Sequence, residues 1–218
     1  KMKKNLILVL IFLSNISIAQ IKTAENNLDE GESIYYYDIN FKETLKEKAK
    51  YYKIITTNGE VYDYDKKSNL LAFYEKAINV NKSDDSESIY EGNFIFFYKS
   101  GGIQLEGNLV NLPEGNLEEG EFKFYTKSGN LYRKSNFIGG YLNGKTIFYT
   151  RLGREEGNYK NDKPYGNYTY YSKSNIKVAE GNFDNGINKW IYYNKFGEIV
   201  SQGWYEWSKI RKILKAFQ

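Results

Sequence analysis

Histidine and cysteine are both absent from this chain of 218 residues, and proline occurs only twice and methionine once. Without cysteine there is no disulfide framework, thiolate nucleophile, zinc finger or iron–sulfur cluster. Without histidine the usual general base and the commonest metal ligand are missing. Most familiar active sites are thereby closed, and the sequence assigns no catalytic residue, no cofactor and no metal ligand. What it has in quantity is aromatic: 22 Tyr, 13 Phe and 3 Trp make up 17% of a chain whose mean hydropathy is nevertheless −0.66. That combination favours half-exposed strands over helices.

Residues 1–19 read as a secretory signal peptide. Lys1, Lys3 and Lys4 form a basic start, Leu6 to Leu13 is apolar, and Ser17-Ile18-Ala19 places small residues before a cut ahead of Gln20. The apolar stretch is interrupted by Ser14, Asn15 and Ser17 and is short of the ~20 residues a membrane span needs. With no cysteine after the cut for lipid attachment, the expectation is an exported protein: periplasmic, outer-membrane-associated or extracellular. The cut removes three lysines and no acid, bringing the net charge from +4 to +1. A near-neutral chain carries no field for nucleic acid.

The rest repeats itself. Five aromatic pairs are each followed four residues later by a turn residue: Phe97-Tyr98 with Gly102, Phe124-Tyr125 with Gly129, Phe148-Tyr149 with Gly153, Tyr170-Tyr171 with Asn175, and Tyr192-Tyr193 with Gly197. The second members lie 27, 24, 22 and 22 residues apart. Asn93, Gly120, Gly144, Gly166 and Asn188 stand five residues before them. Beyond each turn most units reach a Gly near an aromatic or Leu, as in Gly107-Asn108-Leu109, Gly157-Asn158-Tyr159 and Gly181-Asn182-Phe183; the third unit has Ser135-Asn136-Phe137 instead. Alternation such as Phe122-Lys123-Phe124 is the period of a strand, and the turn residues permit a tight reversal. Each unit is one β-hairpin. A lone hairpin of this size cannot offset its own ordering entropy, so the units must stack.

The segments G-E-F-K-F-Y-T-K-S-G-N-L at 120–131 and G-N-Y-T-Y-Y-S-K-S-N-I-K-V-A-E-G-N-F at 166–183, leading into Asn185-Gly186, resemble MORN repeats, in the variant of bacterial antitoxin-like proteins. The resemblance covers about residues 90–205 and, more weakly, Val61 to Glu75, where Tyr64-Asp65 and Asn69 take the pair and turn places. It departs at the insertion 111–119, at Ser135 and at Asn175. It implies an all-β fold, an elongated antiparallel β-hairpin repeat sheet or MORN-like solenoid, used to bind proteins or membrane surfaces and without enzymatic activity.

Around the repeats at 51–205, the sequence predicts an N-terminal cap within 20–50, with a short charged helix over Asn40–Lys50, and an amphipathic C-terminal helix in 206–218. In the latter, Trp207, Ile210, Ile213, Leu214 and Phe217 share a face ringed by lysines and arginine. This face serves as a cap on the last hairpin or, through Trp207, Ile210, Leu214 and Phe217, as a membrane contact. Three other patterns are explained by the fold. Gly139 to Thr146 matches a phosphate loop, but an aromatic strand follows where a helix is required. Asp84, Asp85 and Glu87 lack the spacing of a calcium loop. Glu118, Glu119 and Glu121 are read as loop charges, since nothing fixes a pair of acids across a cleft.

The leading functional expectation is a protein-binding scaffold, with Tyr98, Tyr125, Tyr149, Tyr171 and Tyr193 as partner-binding residues, because a tyrosine ring buries area while its hydroxyl tolerates water. The partner is another protein, which the resemblance suggests is neutralised. The alternatives are cell-wall glycan, for which the repeats offer only Trp190 and Trp204, and membrane-surface attachment.

Overall fold

The computed structural model describes residue 28 and residues 30–67, 70–84, 87–183 and 189–216. The signal segment 1–19 and Phe217, Asp85, Asn69, Asn185 and Gly186 lie outside them. The described chain is mostly β. Strands β1 (Ser33–Tyr37), β2 (Tyr51–Ile55), β3 (Glu60–Asp65), β4 (Leu70–Asn79) and β5 (Ile89–Phe97) are followed by β6 (Ile103–Leu112), β7 (Gly115–Tyr125), β8 (Leu131–Ile138), β9 (Tyr141–Tyr149) and β10 (Gly153–Lys160). Then come β11 (Lys163–Ser172), β12 (Lys177–Asn182), β13 (Trp190–Tyr193), β14 (Ile199–Gly203) and helix α1 (Trp207–Lys215). Each strand pairs antiparallel with the next in chain order.

The turns carry the repeat. Between β7 and β8, Thr126 N donates to Asn130 O at 2.8 Å, Gly129 N donates to Thr126 O at 2.9 Å, and Gly129 has φ +80°. This is the three-residue hairpin loop that ends on a left-handed residue. The same pair of bonds recurs from Tyr98 to Gly102, from Ser172 to Ile176 and from Asn194 to Glu198, with Gly101, Asn175 and Gly197 in the left-handed position. Asn175 tolerates φ +62° because its short polar side chain is among the few that do. An identical loop at Thr56 to Glu60 joins β2 to β3; the repeat pattern misses it because Ile54-Ile55 precede it where an aromatic pair would stand. The opposite edge uses two-residue turns: Pro113-Glu114, Gly139-Gly140 and Asn161-Asp162. The last two have both residues at positive φ. The phosphate-loop match is thus a hairpin turn running into strand β9, and residues 111–119 lengthen the β6–β7 hairpin.

Two expectations need correction. The register shows that the first pair is read one residue late: Phe97 faces Ile103 just as Tyr125 faces Leu131 and Tyr193 faces Ile199. Phe97, not Tyr98, is the counterpart of the other tyrosines, and Gly92 with φ +101° replaces Asn93. No α-helix forms over Asn40–Lys50, where only a 3-10 turn at Lys46–Lys48 is found. The Asp38 carboxylate accepts from Asn40 N at 2.7 Å and Lys42 N at 3.1 Å, and Glu43 N donates to Ser83 O at 3.0 Å. Those bonds take the amides that a helix would have used.

Residues facing each other across the ladders share a side of the sheet. One transverse row runs Leu105, Phe124, Arg133, Phe148, Glu155, Tyr170, Ala179 and Tyr192; the neighbouring row, on the other side, runs Glu106, Lys123, Lys134, Ile147, Glu156, Thr169, Glu180 and Ile191. Helix α1 covers the first side at the C-terminal strands. Its Ile210 and Leu214 are buried with Tyr168, Tyr170, Val178, Ala179, Trp190 and Tyr192. A second core holds Tyr52, Ile54, Tyr62 and Tyr64 near the other end, with Tyr52 and Tyr64 stacked at 4.8 Å.

The return-strand glycines have a role that the turn reading does not give them. Gly107, Gly157 and Gly181 lie under the rings of Phe122, Tyr168 and Trp190, where a Cβ would stand 2.5, 2.2 and 2.4 Å from ring atoms. In the third unit Ser135 takes the glycine's place and Thr146 the ring's. Their buried hydroxyls bond at 3.2 Å, and Arg133 Nε donates to Ser135 Oγ at 2.6 Å. The unit without the glycine is therefore a polar substitute for the same contact. Ser135→Ala leaves Thr146 without that partner and is expected to lower stability by about 1–2 kcal/mol, measured by urea denaturation.

Candidate functional site

The side of the sheet away from α1 gathers the predicted tyrosines. Because side chains alternate, Tyr125 points to the side opposite Phe124, and its hydroxyl donates to Glu106 at 2.7 Å, with Lys123 Nζ 3.2 Å from the same carboxylate oxygen. Tyr193 donates to Glu180, which also receives Lys177 at 2.8 Å. The Arg154 guanidinium lies 4.1 Å from the centre of the Tyr171 ring and 2.5 Å from Glu156, which Lys145 approaches to 2.8 Å. Lys134 pairs with Glu121 at 2.9 Å beside Tyr149, itself 36% exposed. Four of the five predicted tyrosines therefore form one row, one per hairpin; Tyr125, Tyr171 and Tyr193 each contact a charged residue of the preceding return strand, and Tyr149 has Lys134 nearby. Tyr98 is outside it, and its hydroxyl donates to Tyr125 O at 2.7 Å.

The supporting charges Glu106, Lys134 and Glu180, and Glu156, which holds Arg154 against Tyr171, went unread in the sequence. Their signal was present: each immediately precedes the return-strand residue Gly107, Ser135, Gly157 or Gly181. The acid cluster lies in strand β7 and not in a loop, with Glu119 Oε2 accepting from Gly139 N at 2.9 Å and Glu121 paired to Lys134. Asp84 is paired with Lys42.

Electrostatics follow the pairing. Hydrogen bonds from Lys177 and Tyr193 hold the Glu180 carboxyl below its ordinary value of 4.5. Burial works against ionisation of Glu156, but Lys145 and Arg154 outweigh it and lower its pKa as well. Burial, then the bond to Glu180, pushes the Tyr193 hydroxyl up to about 12, and burial with Glu106 raises Tyr125 likewise. A lowered carboxyl contributes stability that is present above the ordinary carboxyl pKa and lost as pH falls through the folded value. Glu180→Gln is expected to flatten the fall in melting temperature between about pH 5 and pH 2. An unchanged acid limb in a calorimetric pH series would refute this.

On the helix side, Arg133 is set among rings, its guanidinium 4.7 Å from the centre of Phe124 and 5.4 Å from that of Phe148; burial lowers its pKa. Glu155, opposite Phe148, has its carboxyl raised by burial. The proposed membrane contacts are divided. Ile210 and Leu214 are fully buried against the sheet, because that stripe covers Trp190 and Tyr192, so they cannot also enter lipid. Trp207 remains 42% exposed, its ring 5.8 Å from that of Tyr170. Among the described residues no helix is long and apolar enough to cross a membrane.

A cleft of about 880 Å³ lies at the C-terminal strands, lined by residues 167–169, 180–182, 189–191 and 202–204. Of the two tryptophans at it, Trp190 is 1% exposed and Trp204 is 71% exposed.

No family model and no curated protein matches the chain. Among solved structures, a chain in the crystal structure of the GtfA/B complex bound to UDP and GlcNAc aligns with a TM-score of 0.24 and 15% identity over 58% of this chain. The aligned part spans 25% of that chain.

Proposed function

We propose that the chain is an exported, non-enzymatic scaffold of MORN-like hairpin repeats, and that the row Tyr125, Tyr149, Tyr171 and Tyr193 is where another protein docks. The observation that carries this reading is the regularity of the row: one ring per hairpin, three of the four held by an acid or base beneath, on the side of the sheet that α1 leaves uncovered. Oriented tyrosines among paired charges suit a protein interface, since little rotamer entropy remains to be lost on binding and opposite charges set the partner's register. The antitoxin-like relation implied by the MORN resemblance, neutralisation of a bound partner, fits this geometry.

The test is capture of envelope proteins by the chain from Gln20 onward, compared with Tyr149→Ala and Arg154→Glu. Tyr149 is 36% exposed, so its truncation costs less stability than that of a fully buried ring. The expected result is a specific partner whose affinity falls about tenfold or more with each variant while its far-UV circular dichroism stays that of the folded chain. Capture indifferent to both variants, or retention on anionic vesicles that is lost on deleting residues 206–218, overturns the reading.

A further inference from the structure

We propose that the C-terminal cleft is a binding site for a neutral saccharide chain, adjoining the end of the tyrosine row, with which it shares Glu180. Its volume of about 880 Å³ is that of a small-ligand site. By the strand register, Thr169, Glu180, Ile191 and Gln202 form one row of its lining on the side away from α1, with Asn167 and Asn182 beside them. Asn182 Nδ2 donates to Asn167 Oδ1 at 2.7 Å, which holds the two amides together in the lining. Amides and a hydroxyl both donate and accept, as sugar hydroxyls require. The single charges Glu180 and Lys189 are of opposite sign, and Glu180 already holds Lys177 and Tyr193, so the lining has no net field for an anion. Trp204, 71% exposed, supplies the flat apolar surface on which the C–H face of a pyranose packs. An indole left this open beside orienting amides is what distinguishes the cleft from the protein-docking row, where rings are tyrosines set on ion pairs.

The chain from Gln20 onward is titrated with cellotetraose and with chitotetraose, read by calorimetry and by tryptophan fluorescence; the two arms separate hydroxyl recognition from acetamido recognition. Saturable binding of either is expected. Trp204→Ala weakens it about tenfold or more, and Asn167→Ala about fivefold, both at unchanged melting temperature. Tyr149→Ala, on the docking row, leaves it unchanged, so loss of sugar binding and loss of protein binding are separable. Absence of saturation by both sugars up to about 10 mM overturns the proposal. So does binding that survives Trp204→Ala and Asn167→Ala, or binding that depends on Tyr149 instead.

Discussion

Trp190→Ala should destabilise the protein by about 3–5 kcal/mol, the largest loss expected of any single truncation in the chain. The indole is 1% exposed and forms the centre of the C-terminal core, with ring centres of Tyr205 at 5.0 Å, Tyr170 at 5.7 Å and Phe183 at 5.8 Å. It also lies over Gly181, so its removal uncovers backbone as well as rings. The effect is local in origin, because each hairpin leans chiefly on its neighbours, and a cavity here loosens β12, β13 and α1 together. Urea denaturation followed by far-UV circular dichroism measures the total, and hydrogen exchange locates it. A loss below about 1.5 kcal/mol would show that the ring is not the keystone of that core.

The second large effect comes from adding a methyl group. Gly157→Ala places a Cβ about 2.2 Å from the Tyr168 ring, which is itself held by Phe183 at 4.7 Å and by its hydroxyl bond to Asn158 O at 2.9 Å. With the ring unable to withdraw, the backbone must move, and about 3 kcal/mol is expected. The decisive measurement is a double-mutant cycle. In a Tyr168→Ala background the same alanine has room, and its cost should fall below about 1 kcal/mol. Simple additivity would mean that the ring does not explain the glycine. The same methyl group at Gly129, where a Cβ meets nothing within 4 Å, costs only the strain of its left-handed backbone, about 1 kcal/mol.

The hairpin architecture was legible because its signals are local. A positive-φ residue at Gly129, Asn175 or Gly197 and a two-residue period on either side are properties of a few consecutive residues, and they place the turn without reference to the rest of the chain. The same locality explains the misses. Phe97-Tyr98 looks like Phe124-Tyr125, but the loop that follows begins one residue earlier, at Tyr98, and only the paired register reveals the slip. Asn40 to Lys50 has helical composition, yet Asp38, Ser83 and the bridge from Lys42 to Asp84 claim its amides from outside the segment.

Alternation by itself determined that Phe124 and Tyr125 face opposite ways, and likewise Tyr170 and Tyr171, since successive side chains leave a strand on opposite sides. The 3.6-residue helical period determined that 206–218 carries one apolar stripe. Which side that stripe covers was decided only when the strands assembled: Ile210 and Leu214 seal the side of Tyr170 and Tyr192, leaving Tyr171 and Tyr193 on the other with their ion pairs. Likewise Glu106 meets Tyr125 across 19 residues of chain, and Trp204 comes beside Asn167 and Asn182 in one cleft. Those meetings depend on register between strands, a long-range quantity that no short window of sequence contains.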